Sequence, residues 1–402
     1  MRTTRYLPVA LSVYINYAML GIATIIISQY SDYFQNAWST NLSGISKVIS
    51  IVGIGRIITI LFAGPLSDKL GRKKIAIASC VSVLLFFCGL ILSHSLFVAY
   101  IAALFFGLAQ SVADASCYPI LTEAFQEKAP SMMPLVKASM SIAQFILPFF
   151  VAAFSNAIPL LIIFSVIVIF NAVFFAFCKY APQTVAKIEE KAKIVGAKKG
   201  KSVSIIKRSI WFDGVPLIFI GFSSVFTFYL FMQYMPTFGT SILHLSSNGA
   251  ASLVSWYAAA SLISVFLISF IVVKVKPIIV VILYPFITVI FLIALVLVPS
   301  VTLARITGIV VGFFAAGGVW QLGLSILTSY FPTSKGKVTS FYSFAAACCY
   351  YVGPALCAVL ITNKPESINK VFWLDIIVTW IGIAAAIIVF LRDKMKNKEF
   401  VG

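Results

Sequence analysis

Twelve apolar runs, each about as long as a lipid bilayer is thick, leave this chain few ways to fold. They cover residues 6–27, 45–66, 75–92, 96–121, 132–154, 158–177, 215–234, 250–273, 277–298, 306–327, 338–361 and 371–391. A helix needs about 20 such residues to cross the hydrocarbon core. The runs are too long and too weakly alternating for barrel strands. Lipid offers backbone N–H and C=O groups no partner, so each run must satisfy its own, as a helix. The expected fold is therefore all-α, with twelve transmembrane helices. Only 10% of the residues are charged, and the mean hydropathy of +1.04 lies far outside the soluble range.

Arg2 and Arg5 precede the first run, as in a signal peptide. No small-residue cleavage site follows and the run is long enough to span, so it is expected to be retained. The seven cysteines all fall in or at the edge of apolar runs, without metal-site spacing. They read as small apolar side chains, and no metal or cofactor is expected.

A net charge of +18 would suggest nucleic acid in a soluble chain. Here the distribution argues otherwise. Threading twelve spans from an inner N-terminus puts 25 cations inside, among them Lys69, Arg72, Lys73 and nine between Lys179 and Arg208. Only Lys47, Arg305, Lys364 and Lys370 fall outside. Cations collect on the cytoplasmic side, so both termini are expected there, in the cell membrane.

Six runs precede residue 180 and six follow residue 209. The expected organisation is an N-terminal six-helix bundle (1–180), a basic linker (181–208) and a C-terminal six-helix bundle (209–402). In the linker Val185, Ile188, Ala192 and Val195 share a helical face, so a short amphipathic helix on anionic lipid headgroups is expected. The halves repeat weakly. "PILTEAFQ" at 119–126 matches "SILTSYFP" at 325–332, an offset of 206, and the same offset carries Pro148 onto Pro354. Parallel repeats related by a pseudo-twofold axis account for both.

Between the second and third runs stands "GPLSDKLGRKK", Gly64 to Lys74, five ionisable groups in eleven positions. Together with the 6+6 layout and basic middle loop, it resembles the cytoplasmic signature of the major facilitator superfamily, G-x-L-[ASG]-D-[KR]-x-G-[RK]-[KR]. Gly64, Leu66, Ser67, Asp68, Lys69, Gly71, Arg72 and Lys73 all match. In physical terms, Gly64 would allow close backbone approach and Gly71 a tight turn. The cations would hold the elbow inside. The resemblance implies a gate: Asp68 facing the positive N-terminal end of helix eleven, near 337–339, in one state and released in another. Glu123, at the inner end of helix four, could pair with Arg72 or Lys69, or be solvated. The second half has only "VKVKP" at the equivalent elbow, so the gate is expected to be one-sided.

Two ionisable residues sit deep within runs. Arg56 lies twelve residues before Asp68 and Asp114 nine before Glu123, roughly 18 and 14 Å from the inner ends. Each alone costs about 2.5–3.5 kcal/mol on insertion scales, so they are expected to face the interior and find a partner. A permanent structural salt bridge is the plainer alternative to a proton-coupling role. The resemblance implies that helices one, four, seven and ten line a cavity. On these helices Asp114 shares a ridge with Gln110 and Tyr118. Helix seven offers Phe226, Tyr229 and Gln233, helix ten Trp320 and Gln321, and helix one Tyr14, Asn16 and Tyr17. Lys137 is expected to snorkel to the inner surface, and Asp213 and Asp375 to be solvated near span ends.

The reading is a transporter of a small organic solute by alternating access, coupled to protons as a symporter. The alternative is a proton-antiport exporter of drugs or metabolites. Its helix-five glycine motif is missing from "SIAQFILPFFVAAF", though "GP" at 353–354 persists. An enzyme is not expected: no nucleophile–base pair or phosphate loop is present. A non-transporting sensor would bind solute without flux. Partners are the solute, protons and lipid, not nucleic acid, and the chain is expected to act as a monomer.

Overall fold

The computed structural model describes residues 4–125, 129–181, 209–331 and 335–399. The 181–208 linker falls almost wholly outside them, as does its expected amphipathic helix. Twelve helices are long and apolar enough to span. They are α1 (Leu7–Gln29), α2 (Leu42–Leu70), α3 (Arg72–Leu92), α4 (Leu96–Phe125), α5 (Ala129–Ala153) and α6 (Ala157–Phe177). The second half supplies α7 (Val215–Ser241), α8 (Ser247–Lys274), α9 (Pro277–Leu297), α10 (Val301–Tyr330), α11 (Lys335–Leu360) and α12 (Ile368–Glu399). No strand occurs among the described residues. The face carrying residues 4 and 399 is called basal here, its opposite apical.

Helix starts differ by face. At the basal starts of α1, α7 and α9 a proline occupies the first turn, where its missing N–H costs nothing. At the apical starts of α2, α6 and α10 a side-chain oxygen caps the turn. Asn41 accepts from Gly44 N, Asn156 from Ile158 N, and Ser300 from Leu303 N.

α1–α6 and α7–α12 form two bundles. Buried polar pairs tie each one: Ser12 donates to Asn171 at 2.8 Å between α1 and α6, and the hydroxyls of Thr227 and Thr379 meet at 2.6 Å between α7 and α12. The bundles meet along two seams, α2 on α11 and α5 on α8, with α1 facing α7 between them. Advancing each helix number by six exchanges the two seams, which is the pseudo-twofold relation the internal repeat implied.

Gly53 makes the first seam possible. A Cβ there would collide with the backbone of Tyr350 and Tyr351 on α11, so the two helices touch backbone to backbone. Gly53→Leu is expected to cost at least about 1–3 kcal/mol through overpacking. Size-exclusion chromatography of the purified variant should show a several-fold loss of monodisperse protein. The close approach expected at Gly64 is not found: a Cβ there would meet nothing within 4 Å. Ile58, Leu61, Phe62, Leu66 and Leu70 are all exposed nearby, so the basal part of α2 is sparsely covered. Gly71, by contrast, has φ of 92° between α2 and α3, a conformation only glycine adopts without strain.

α10 is not the continuous helix its hydropathy suggested. It runs to Val310, widens into a π-type turn over Val311–Ala315, and restarts at Val319 after Gly318 with φ of 120°. The pair Gly317–Gly318 permits that break at mid-depth.

Candidate functional site

α2 carries Arg56 toward α4, where its guanidinium donates to Asp114 Oδ2 at 3.0 Å and to Gln110 Oε1 at 3.2 Å. Tyr17 of α1 donates to the other carboxylate oxygen at 2.7 Å and meets the Tyr118 ring edge-on. Across the seam, the Arg56 guanidinium lies 4.5 Å from the centre of the Tyr350 ring on α11, and Tyr350 packs on Tyr229 of α7. One cluster thus joins α1, α2 and α4 of the first bundle to α7 and α11 of the second. Arg56 is 16% exposed, Asp114 37%. At mid-depth, such exposure means that the carboxylate is not sealed in protein.

Polar contacts across the seams fall at or apical to this level among the described residues. Ser43 reaches Ala358 O, Gln233 reaches Thr24 O, Gln29 reaches Ala251 O, and Ser255 reaches Phe145 O. Asn41 pairs with Asn363, Ser247 with Asp32 and Asn248 with Ala152 O near the apical surface. An apical vestibule of about 340 Å³ opens among these contacts, lined by Ser28, Asp32, Asn41, Thr240 and Asn363. The bundles are clasped apically.

Other expected wall residues divide. Tyr14 turns to α5, bonding Met132 O at 3.1 Å. Asn16 does not face the cavity: its amide is buried within the first bundle against Ser79, Cys80 and Cys117. Phe226 and Tyr229 are buried, and Gln233 serves the apical clasp. Trp320 leans on Tyr342 of α11 with its indole N–H unpartnered, while Gln321 is exposed beside it.

At the basal elbow Asp68, half exposed, pairs with Arg72. Arg72 is buried and also pairs with Glu123 at 3.3 Å and Ser67 at 2.9 Å, which selects Arg72 over Lys69 as the partner of Glu123. Lys69 and Lys73 are exposed. Of the α11 start expected to face Asp68, the Lys337 side chain lies outside the described residues.

Three charged groups behave differently from expectation. Lys137 does not snorkel; its ammonium lies 5.3 Å from the centre of the Phe228 ring on α7. Asp213 is buried and held by Arg392 at 3.1 Å and by the Ser209 N–H at 2.8 Å. Asp375 is 1% exposed, on α12 one turn before Thr379, and neither carboxylate oxygen has a hydrogen bond. A polar stripe was the available signal for the first: Lys137, Ser141 and Gln144 share one helical face.

A sequence profile of the Major Facilitator Superfamily matches residues 8–317. The chain belongs to this superfamily. The inner membrane transport protein YdiM of Escherichia coli (strain K12) is 31% identical over 399 residues, covering 98% of this chain and 96% of YdiM. The MFS-type transporter YfkL of Bacillus subtilis (strain 168) is 30% identical, covering 98% of each chain. The crystal structure of the D-xylose-proton symporter superposes with a TM-score of 0.75 at 16% identity, covering 96% of this chain and 97% of that one. At that identity it speaks for the fold alone. As a major facilitator the protein is a multi-pass membrane transporter of a small solute, and the family points away from an enzyme.

Proposed function

We propose that the protein is a secondary active symporter, moving a small organic solute with protons across the cell membrane by alternating access. The basal face is then cytoplasmic, where the cations of 69–74 collect, and the structure corresponds to an inward-facing state. One observation carries this reading: a carboxylate, Asp114, stands at mid-depth where the two bundles part, paired to Arg56 and still 37% exposed. An acid held inside a membrane marks a pathway by default. Arg56 touches both bundles, so loading Asp114 with a proton would loosen a contact that spans the hinge. The gate role of Asp68, Arg72 and Glu123 belongs to the same proposal: their linked ion pairs brace the α2–α3 elbow against the end of α4.

One proton crossing about 100 mV supplies roughly 2.3 kcal/mol, enough for about fiftyfold accumulation. Uptake into proteoliposomes from a metabolite panel, with and without an imposed proton gradient, tests the reading. Accumulation above equilibrium of at least one solute, only when protons run inward, is the expected result. Accumulation driven by protons running the other way would make the protein an exporter.

A further inference from the structure

We propose that Lys137 and the Arg56–Asp114 pair form two ends of a binding site for a small organic monocarboxylate with a cyclic body. The idea deepens the transport reading but does not need proton coupling. Lys137 sits one turn basal of Ser141, whose hydroxyl reaches Ser261 of α8 at 3.5 Å. It therefore stands where the polar contacts of the α5–α8 seam end. Arg56 holds the matching place on the α2–α11 seam, basal to the Ser43–Ala358 contact and over Tyr350. Depth agrees as well: Arg56 is fourteen residues from the apical start of α2 and Lys137 sixteen from the apical end of α5, a difference of about 3 Å. Two cations thus flank the roof of the space between the bundles, on seams related by the pseudo-twofold axis.

Their charges are not balanced alike. Arg56 is answered by Asp114. Among the described residues, Lys137 appears in no ion pair, and the π-face of Phe228 is its partner. The site carries one uncompensated positive charge. A neutral or cationic solute would leave that ammonium unanswered in a low-dielectric space, whereas a single carboxylate answers it. The rest of the wall is aromatic, with the half-buried Phe228 on α7, Tyr350 on α11 and Tyr118 beside Asp114, backed by the buried Tyr229 and Tyr17. Such rings favour a flat or cyclic body. When Asp114 takes up a proton it becomes neutral, and Arg56 is released as a second donor to the solute. Anion and proton would then each favour binding of the other.

The test uses acid and amide pairs on the purified full chain: benzoate against benzamide, nicotinate against nicotinamide, and lactate against lactamide, by calorimetry. At least one acid is expected to bind, with its amide at least about tenfold weaker. The cyclic acids should bind more tightly than lactate. Lys137→Gln should lose about tenfold or more for that acid, and Lys137→Arg should restore most of it. No acid binding, amides binding as tightly as acids, or an unchanged affinity in Lys137→Gln would overturn the proposal. The comparison within the wild-type protein stands even if a variant fails to fold. Lys137-dependent binding of an acid whose accumulation ignores the proton gradient would sink the symport reading and leave this one standing. Proton-driven accumulation of neutral solutes alone would do the reverse.

Discussion

Asp114→Asn proteoliposomes are expected to show no accumulation under an inward proton gradient, yet to exchange solute across the membrane at a rate near that of wild type. The asparagine keeps the shape and an amide oxygen that can accept from Tyr17 or Arg56, but it cannot exchange a proton in this range. Solute and proton would be uncoupled while the rocking of the bundles survives. The accumulation ratio should fall from about fifty to about one. Counterflow separates this outcome from simple misfolding, because a misfolded protein exchanges nothing. Unchanged accumulation in this variant would remove Asp114 from the coupling mechanism.

Arg56→Ala is expected to be the more damaging change for stability. It leaves the Asp114 carboxylate in the membrane with only the Tyr17 hydroxyl as a strong partner, and it removes the contact to Tyr350 across the seam. Breaking a fully buried pair costs 3–5 kcal/mol. Asp114 is 37% exposed, so about 2–3 kcal/mol is the fitting figure. The double variant Arg56→Ala/Asp114→Ala should recover more than half of the loss, since neither charge is then stranded. Unfolding in mixed detergent micelles, followed by circular dichroism, measures all four corners of the cycle. Strict additivity of the two single changes would mean that the ion pair does not hold the roof together.

The number of spans was legible in the sequence because lipid leaves no other way to satisfy a long apolar backbone. The pairing of Arg56 with Asp114 was legible for a related reason: two opposite charges at the same depth must find each other or be expelled. The rotation of each helix was harder to read. α1 is apolar on every side, so nothing in its pattern says that Tyr17 faces Asp114 while Asn16, one residue earlier, turns into the first bundle to meet Ser79. For Lys137 the aliphatic stem made escape to the surface look cheap. The fold instead lays its ammonium on a ring contributed by the other half of the chain, a contact no local window contains. Asp213 shows the same limit. Its partner, Arg392, is 179 residues away. Gly64 fails differently: its family motif was correctly matched, but the backbone contact falls eleven residues earlier, at Gly53.

The central claim is that the two bundles rock about the Arg56–Asp114 level, closing one face as the other opens. Double electron–electron resonance tests it on two spin-label pairs in a background with the native cysteines replaced. One pair spans the basal face at Phe177 and Trp211, the other the apical face at Phe97 and Val298, all well exposed. With solute present and the pH lowered, the basal distance should shorten while the apical distance lengthens, and Asp114→Asn should shift that balance at neutral pH. Distances that stay fixed under every condition, or that change together in the same direction on both faces, would contradict the account.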